Sequence, residues 1–168
     1  RLGDAGSNYY DIGRNTANGL LTFYGNQAAA SGYVFSTVNG ERARIDSSGN
    51  FLFNSGYGSV ATAYGCRAWV NFNGTGTVAI RASGNVTGIT DNGTGDYTVN
   101  FTIAMPDINY TVAGSTAVFA GGSGYRWLAV GSGLGSDFSM TTSSIRVQPV
   151  YDPSTKTDAD FVSLVIFR

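Results

Sequence analysis

From Tyr64 to Pro106 apolar and polar side chains alternate, and period two places every second side chain on the same face of a strand. Trp69–Phe72, Thr77–Arg81 and Tyr97–Ile103 are the clearest runs. In the last, Tyr97, Val99, Phe101 and Ile103 share one face while Thr98, Asn100 and Thr102 share the other, which predicts a sheet with one wet face. The tetrapeptide Asn-Gly-Thr-Gly occurs at Asn73–Gly76 and again at Asn92–Gly95, each time between alternating runs. Asn-Gly supplies the positive φ that a tight turn needs, so each copy predicts a reversal between antiparallel strands. The pattern continues through Tyr110–Val112, Thr116–Ala120, Tyr125–Val130, Phe138–Thr142 and Ile145–Tyr151. About seven or eight strands at this spacing predict a β-sandwich.

The final run, Phe161–Phe167, breaks the alternation. Val162, Leu164 and Ile166 fill one face, but Phe161, Val165 and Phe167 make the other apolar as well. A strand of this kind is either central in a packed sheet or held between subunits, and the second is the expectation here. The free thiol of Cys66, between Gly65 and Arg67, is expected to be buried, as is Trp69.

Residues 1–58 read differently from residues 59–168. Gly and Asn recur, and the candidate strands Leu20–Tyr24, Tyr33–Phe35, Arg42–Ile45 and Phe51–Phe53 are short; Gln27–Ala30 has room for one helical turn. Strands this short hold no core within one chain and become stable when several chains or repeats stack. The expected organisation is a shaft or neck over 1–58 and a tip domain over 59–168. The chain opens at Arg1 without an initiator Met and is expected to be the C-terminal part of a longer polypeptide.

Composition supports the all-β reading. The 168 residues include 24 Gly, and 42% are hydrophobic and 13% aromatic, enough to build a core. Glu41 is the single glutamate and Lys156 the single lysine, so helix-favouring Glu and Lys are nearly absent and turn-favouring Asp supplies almost all of the acidic charge. A net charge of −1 supplies no field that would draw the chain to nucleic acid. No apolar run approaches the ~20 residues that span a bilayer.

Two motifs carry a family resemblance. The stretch YGCRAWVNFNGTGTVAIRASGN, followed by TDNGTGDYTVNFTIAMPDINY, resembles the tip module of bacteriophage and prophage tail fibres. Upstream, Glu41–Phe53 (ERARIDSSGNFLF) is similar to a motif of the shafts of such fibres, and the terminal VSLVIFR resembles how these chains end. The resemblance implies the receptor-binding end of a tail fibre: a homotrimer with short intertwined shaft strands and an antiparallel β-sandwich tip. It would be carried on the virion, exposed to the medium, and would bind a bacterial surface glycan, lipopolysaccharide or outer-membrane protein.

Candidate chemistry is sparse. There is no His, which removes the commonest general base, the Ser–His and Cys–His pairs and the commonest transition-metal ligand, and a single Cys excludes thiolate zinc sites. Asp152, Asp158 and Asp160 are the one tight acidic group. They would serve a carboxylate-dependent glycan depolymerase or a calcium site, but a polar loop in which Asp158 closes a turn is the simpler reading. No catalytic residue, metal or cofactor is therefore expected. A lectin-like adhesin tip unrelated to phage is a further alternative.

The glycine-rich segment Gly114–Asp137 is the expected binding region, because loops at a sandwich end tend to carry binding residues. Tyr125 and Trp127 fall on one strand face with Ala129, while Arg126 falls on the other with Leu128 and Val130. An aromatic face beside hydrogen-bonding groups suits sugar rings, so Tyr125, Trp127, Phe119 and Asp137 are the candidate ligand contacts.

Overall fold

The computed structural model describes residues 2–3, 9–14, 21–26, 32–118, 126–130, 139–152 and 155–168, with side chains described from Gly32 onward. Every strand pairing is antiparallel, and no helix occurs among the described residues. The chain divides into two compact units, Arg1–Ala63 and Tyr64–Arg168. The helical turn expected at Gln27–Ala30 lies outside the described residues.

The first unit holds two sheets. Strands β1 (Leu2–Gly3), β2 (Tyr9–Arg14) and β3 (Leu21–Asn26) pair in chain order. Strands β4 (Gly32–Thr37), β5 (Gly40–Asp46), β6 (Phe51–Phe53) and β7 (Ala61–Thr62) form a second meander. The β5–β6 reversal is organised by Asp46. Its Oδ1 accepts the Ser48 and Asn50 backbone N–H groups at 2.9 Å each, and Gly49 takes φ +81°. Hydrogen bonds from the Asn50 side chain and backbone hold the Asp46 carboxyl below its ordinary pKa.

Register makes this second sheet two-sided. Tyr33 lies opposite Ile45 and Ile45 opposite Phe51, while Phe35, Ala43, Phe53 and Ala61 form the next row. One face therefore consists of Tyr33, Phe35, Ala43, Ile45, Phe51, Phe53 and Ala61, all apolar or aromatic. Its large side chains remain between 37% (Tyr33) and 60% (Phe35) exposed. The Phe51 and Phe53 rings stack with centroids 6.4 Å apart. The reverse face carries Val34, Arg44, Leu52 and Thr62, with Arg44 bonded to Glu41 at 2.6 Å. No residue from Gly32 to Arg67 is buried.

The second unit has an interior. Strands β8 (Cys66–Asn73), β9 (Ala79–Gly84), β12 (Thr111–Ala117) and β16 (Phe161–Phe167) form one sheet in the order β12-β16-β8-β9. Strands β10 (Val86–Asp91), β11 (Tyr97–Phe101), β13 (Trp127–Val130) and β14 (Ser144–Asp152) form the other in the order β10-β11-β14-β13, with β15 (Thr155–Lys156) also on β14. Alternate residues of both sheets meet in one buried cluster that includes Ala68, Val70, Phe72, Tyr97, Val99, Ile145, Val147, Val162, Leu164 and Ile166. The Phe72 and Tyr97 rings meet edge to face at 5.3 Å, linking the two sheets.

Both Asn-Gly-Thr-Gly copies connect antiparallel neighbours, the first β8 to β9 and the second β10 to β11. Several expectations change. Val112 and Thr116 belong to one strand, β12, instead of two, and residues 119–120 of the second expected run lie outside the described residues. Phe138 lies outside the described residues, and among the described residues 139–142 Met140 forms an isolated bridge to Ile145. Phe161–Phe167 is a central strand between β12 and β8; its Val162, Leu164 and Ile166 face is buried, and its other face is half-buried or exposed. Cys66 is exposed instead of buried. Trp69 is 43% exposed, because β8 turns Ala68, Val70 and Phe72 inward and Trp69 outward.

Candidate functional site

Of the four expected ligand contacts, Trp127 is described, while Phe119, Tyr125 and Asp137 lie outside the described residues. Leu128 and Val130 pack against the core cluster, so alternation turns Trp127 and Ala129 to the opposite face of β13. Trp127 is 43% exposed there and lies opposite Val150 of β14. On the other face of the same strand pair the Arg126 guanidinium sits 5.2 Å from the centroid of the Tyr151 ring, within cation–π range. The end of the β13–β14 ladder therefore presents two exposed aromatics, Trp127 and Tyr151, on opposite faces.

A charged cluster shares the Trp127 face of β14. Val147 and Pro149 point to the core side, which leaves Arg146, Gln148 and Val150 on the other side of the strand. Asp96, buried at the end of the second Asn-Gly-Thr-Gly turn, takes two hydrogen bonds from Arg146, at 2.6 and 2.8 Å. Gln148 Nε2 donates to it at 2.9 Å and Lys156 Nζ at 2.5 Å. Burial alone would raise the Asp96 carboxyl, but hydrogen bonds and charge from Arg146 and Lys156 outweigh it and hold its pKa at about 2. Gln148 and Val150 are themselves buried, so β14 is covered on both faces over Val147–Val150. Gln148 Oε1 has no hydrogen-bond donor among the described residues.

The second half of the acidic group has a different task. Asp158 Oδ1 accepts the Gly95 backbone N–H and lies 2.7 Å from the Tyr97 hydroxyl. Asp160 Oδ1 accepts from Thr75 Oγ1 at 3.1 Å, and its backbone oxygen accepts from Arg81 at 2.5 Å. Gly74 donates its N–H to Ala159 O at 2.9 Å. The segment Thr157–Asp160 thus ties down both Asn-Gly-Thr-Gly turns, one carboxylate to each. Among the described residues no three His, Cys, Asp or Glu side chains come together as a metal site; the side chain of Asp152 is not described.

Sequence reasoning missed the Asp96 cluster because its members are 50 to 60 positions apart and meet only through strand order. It also missed Trp69 as a surface group. No protein-family model matches the chain, and no curated protein or solved structure is similar to it at a significant level.

Proposed function

We propose that this chain is the receptor-binding end of a phage tail fibre, assembled from three copies and used for adsorption to a bacterial surface. The observation that supports it best is the apolar face of β4–β7. A sheet that leaves Phe35, Ile45, Phe51 and Phe53 between 41% and 60% exposed in one row, with no buried residue from Gly32 to Arg67, gains little stability from its own burial. Covering one large apolar side chain is worth about 1.5–3 kcal/mol. Closed symmetry with identical copies covers the face without leaving an open end.

The unit from Tyr64 to Arg168 has its own core and is read as the head, a β-sandwich made of the two sheets. Its ligand would be a surface glycan, lipopolysaccharide or an outer-membrane protein, engaged through Trp127 and the loops beside it. Three weak sites on one assembly gain avidity by geometry, with no covalent step required. A glycan depolymerase is the less favoured reading, since Asp158 Oδ1 and Asp160 Oδ1 are each taken up in holding a different turn. The test is adsorption of the purified protein to host cells: wild type binds and Trp127→Ala binds at least about tenfold more weakly. Equal binding by the variant removes Trp127 from the receptor contact.

A further inference from the structure

We propose that the groove at the start of β8 is a binding site for an acidic saccharide, with Arg67 holding the anionic group and Trp69 stacking on the sugar ring. The inference rests on reading the second unit as a receptor-binding head and narrows the receptor to a glycan with carboxylate or phosphate groups.

The groove has a volume of about 490 Å³ and is lined by Cys66, Arg67, Asn85, Thr102 and Ile103, a size that suits small ligands. Asn85 builds its floor. It has φ +56°, in the left-handed region that Asn tolerates better than most residues. Its Nδ2 donates to Arg67 O at 3.0 Å and Ile103 O at 3.1 Å, while Oδ1 accepts Ile103 N–H at 2.7 Å. With these bonds both Nδ2 hydrogens of Asn85 are taken up, and the side chain ties the start of β8 to the segment that follows β11.

The Arg67 guanidinium and the Thr102 hydroxyl are different. Among the described residues neither has a hydrogen bond or ion pair, and none of the groove's lining side chains is acidic. A guanidinium without a carboxylate partner beside a free hydroxyl is a receptor for an anionic oxygen group and a neighbouring sugar hydroxyl.

Trp69 supplies the apolar half. It lies beside the groove, two residues from Arg67 across the buried Ala68, and both Arg67 and Trp69 are exposed. Gly84 lies directly opposite it on β9, next to Asn85. A Cβ at Gly84 would come within 2.4 Å of Trp69 Nε1 and 2.9 Å of Cδ1, so the glycine is what lets the indole lie against the backbone of β9. An indole already fixed in this way loses little freedom when a pyranose stacks on it.

The chain has two tryptophans, so the ¹⁵N-labelled protein gives two indole N–H signals, assigned with Trp69→Phe. The probes are tetragalacturonate, its carboxyl-reduced neutral form, and mannose 6-phosphate. The expected result is a saturable shift of the Trp69 signal with one or both acidic probes and none with the neutral one. In Arg67→Gln the same titration is at least about tenfold weaker, while Arg67→Lys falls between. Carboxylate and phosphate are told apart by which acidic probe binds. A Trp69 signal that moves with no acidic probe, moves equally with the neutral one, or is protected from solvent exchange by a neighbouring copy overturns the proposal. Cell adsorption persisting in Arg67→Gln alongside such a result leaves the receptor-binding reading standing. Failure of the wild type to adsorb overturns that reading, and the titration still decides the groove.

Discussion

The Tyr97 hydroxyl stands between two acceptors, 2.6 Å from Gly74 O and 2.7 Å from Asp158 Oδ1. It has one proton to share between them, and it joins the first Asn-Gly-Thr-Gly turn to the segment that holds the second. Gly74 has no side chain for a reason visible here: a Cβ would come within 2.7 Å of the phenol oxygen.

Tyr97→Phe keeps the ring in the core but leaves Gly74 O without its phenol donor and removes one of the two donors to Asp158 Oδ1. The expected loss is about 1–3 kcal/mol, measured by denaturant unfolding. Combined with Asp158→Asn, the double variant should lose less than the sum of the singles, since both remove the same bond. Strict additivity would mean that the contact carries no stability.

The same tyrosine sets an alkaline limit. Burial, followed by the hydrogen bond to Asp158 and its charge, raises the Tyr97 pKa above its ordinary value. The folded state therefore keeps a proton that the unfolded state releases near pH ~10. Its stabilising contribution is complete below about 10 and declines as pH rises beyond it. In Tyr97→Phe the alkaline decline in stability should be shallower.

Asp96 sets the acid limit. Its folded pKa is about 2 against an ordinary 3.8, so its contribution is present above about pH 4 and is lost as pH falls toward 2. That difference corresponds to about 2 kcal/mol. Asp96→Asn should remove this acid-sensitive portion. It should also cost about 2–4 kcal/mol at neutral pH, because Arg146 and Lys156 are left without their shared carboxylate. An unchanged acid unfolding curve would contradict the assignment.

Gly76 and Gly95 are the last residues of the two tetrapeptides, and both have φ +61°. Their surroundings differ. A Cβ at Gly76 meets nothing within 4 Å, whereas one at Gly95 would lie 2.3 Å from Thr157 N. Gly76→Ala should cost only the left-handed backbone penalty, about 1–2 kcal/mol, and Gly95→Ala should exceed about 3 kcal/mol. Similar melting temperatures for the two variants would show that the Thr157 contact is soft.

Much of this fold is legible from period two and turn chemistry. The residues of β8 and β11 alternate as a strand with one buried face must, and each Asn-Gly-Thr-Gly copy marks a reversal. Strand β10 was not legible because Gly88 interrupts its apolar spacing and its register shifts between Val86 and Gly88. Nor could Trp69 be placed: its exposure depends on which face of β8 packs inward and on Gly84, fifteen positions away, lying opposite it. For the candidate site, the pattern Trp127-Leu128-Ala129-Val130 gave the face of each residue correctly. The polar groups sharing that face come from β14, β15 and the end of a distant turn, and strand order rather than local sequence brings them there.

The β4–β7 face should tolerate no charge. Phe35→Asp with Phe51→Asp places two carboxylates in the apolar row and should separate the copies. The Tyr64–Arg168 unit, which has a core of its own, should keep its near-ultraviolet circular dichroism. Copies that stay together would mean that another surface holds them.

The most direct measurement is the mass of the wild-type protein in dilute solution by light scattering coupled to size exclusion. The account expects three times the 17.6 kDa chain, with the Phe51 and Phe53 rings shielded from solvent. A folded species at the mass of one chain, stable to heating with that aromatic row still open to water, would contradict it.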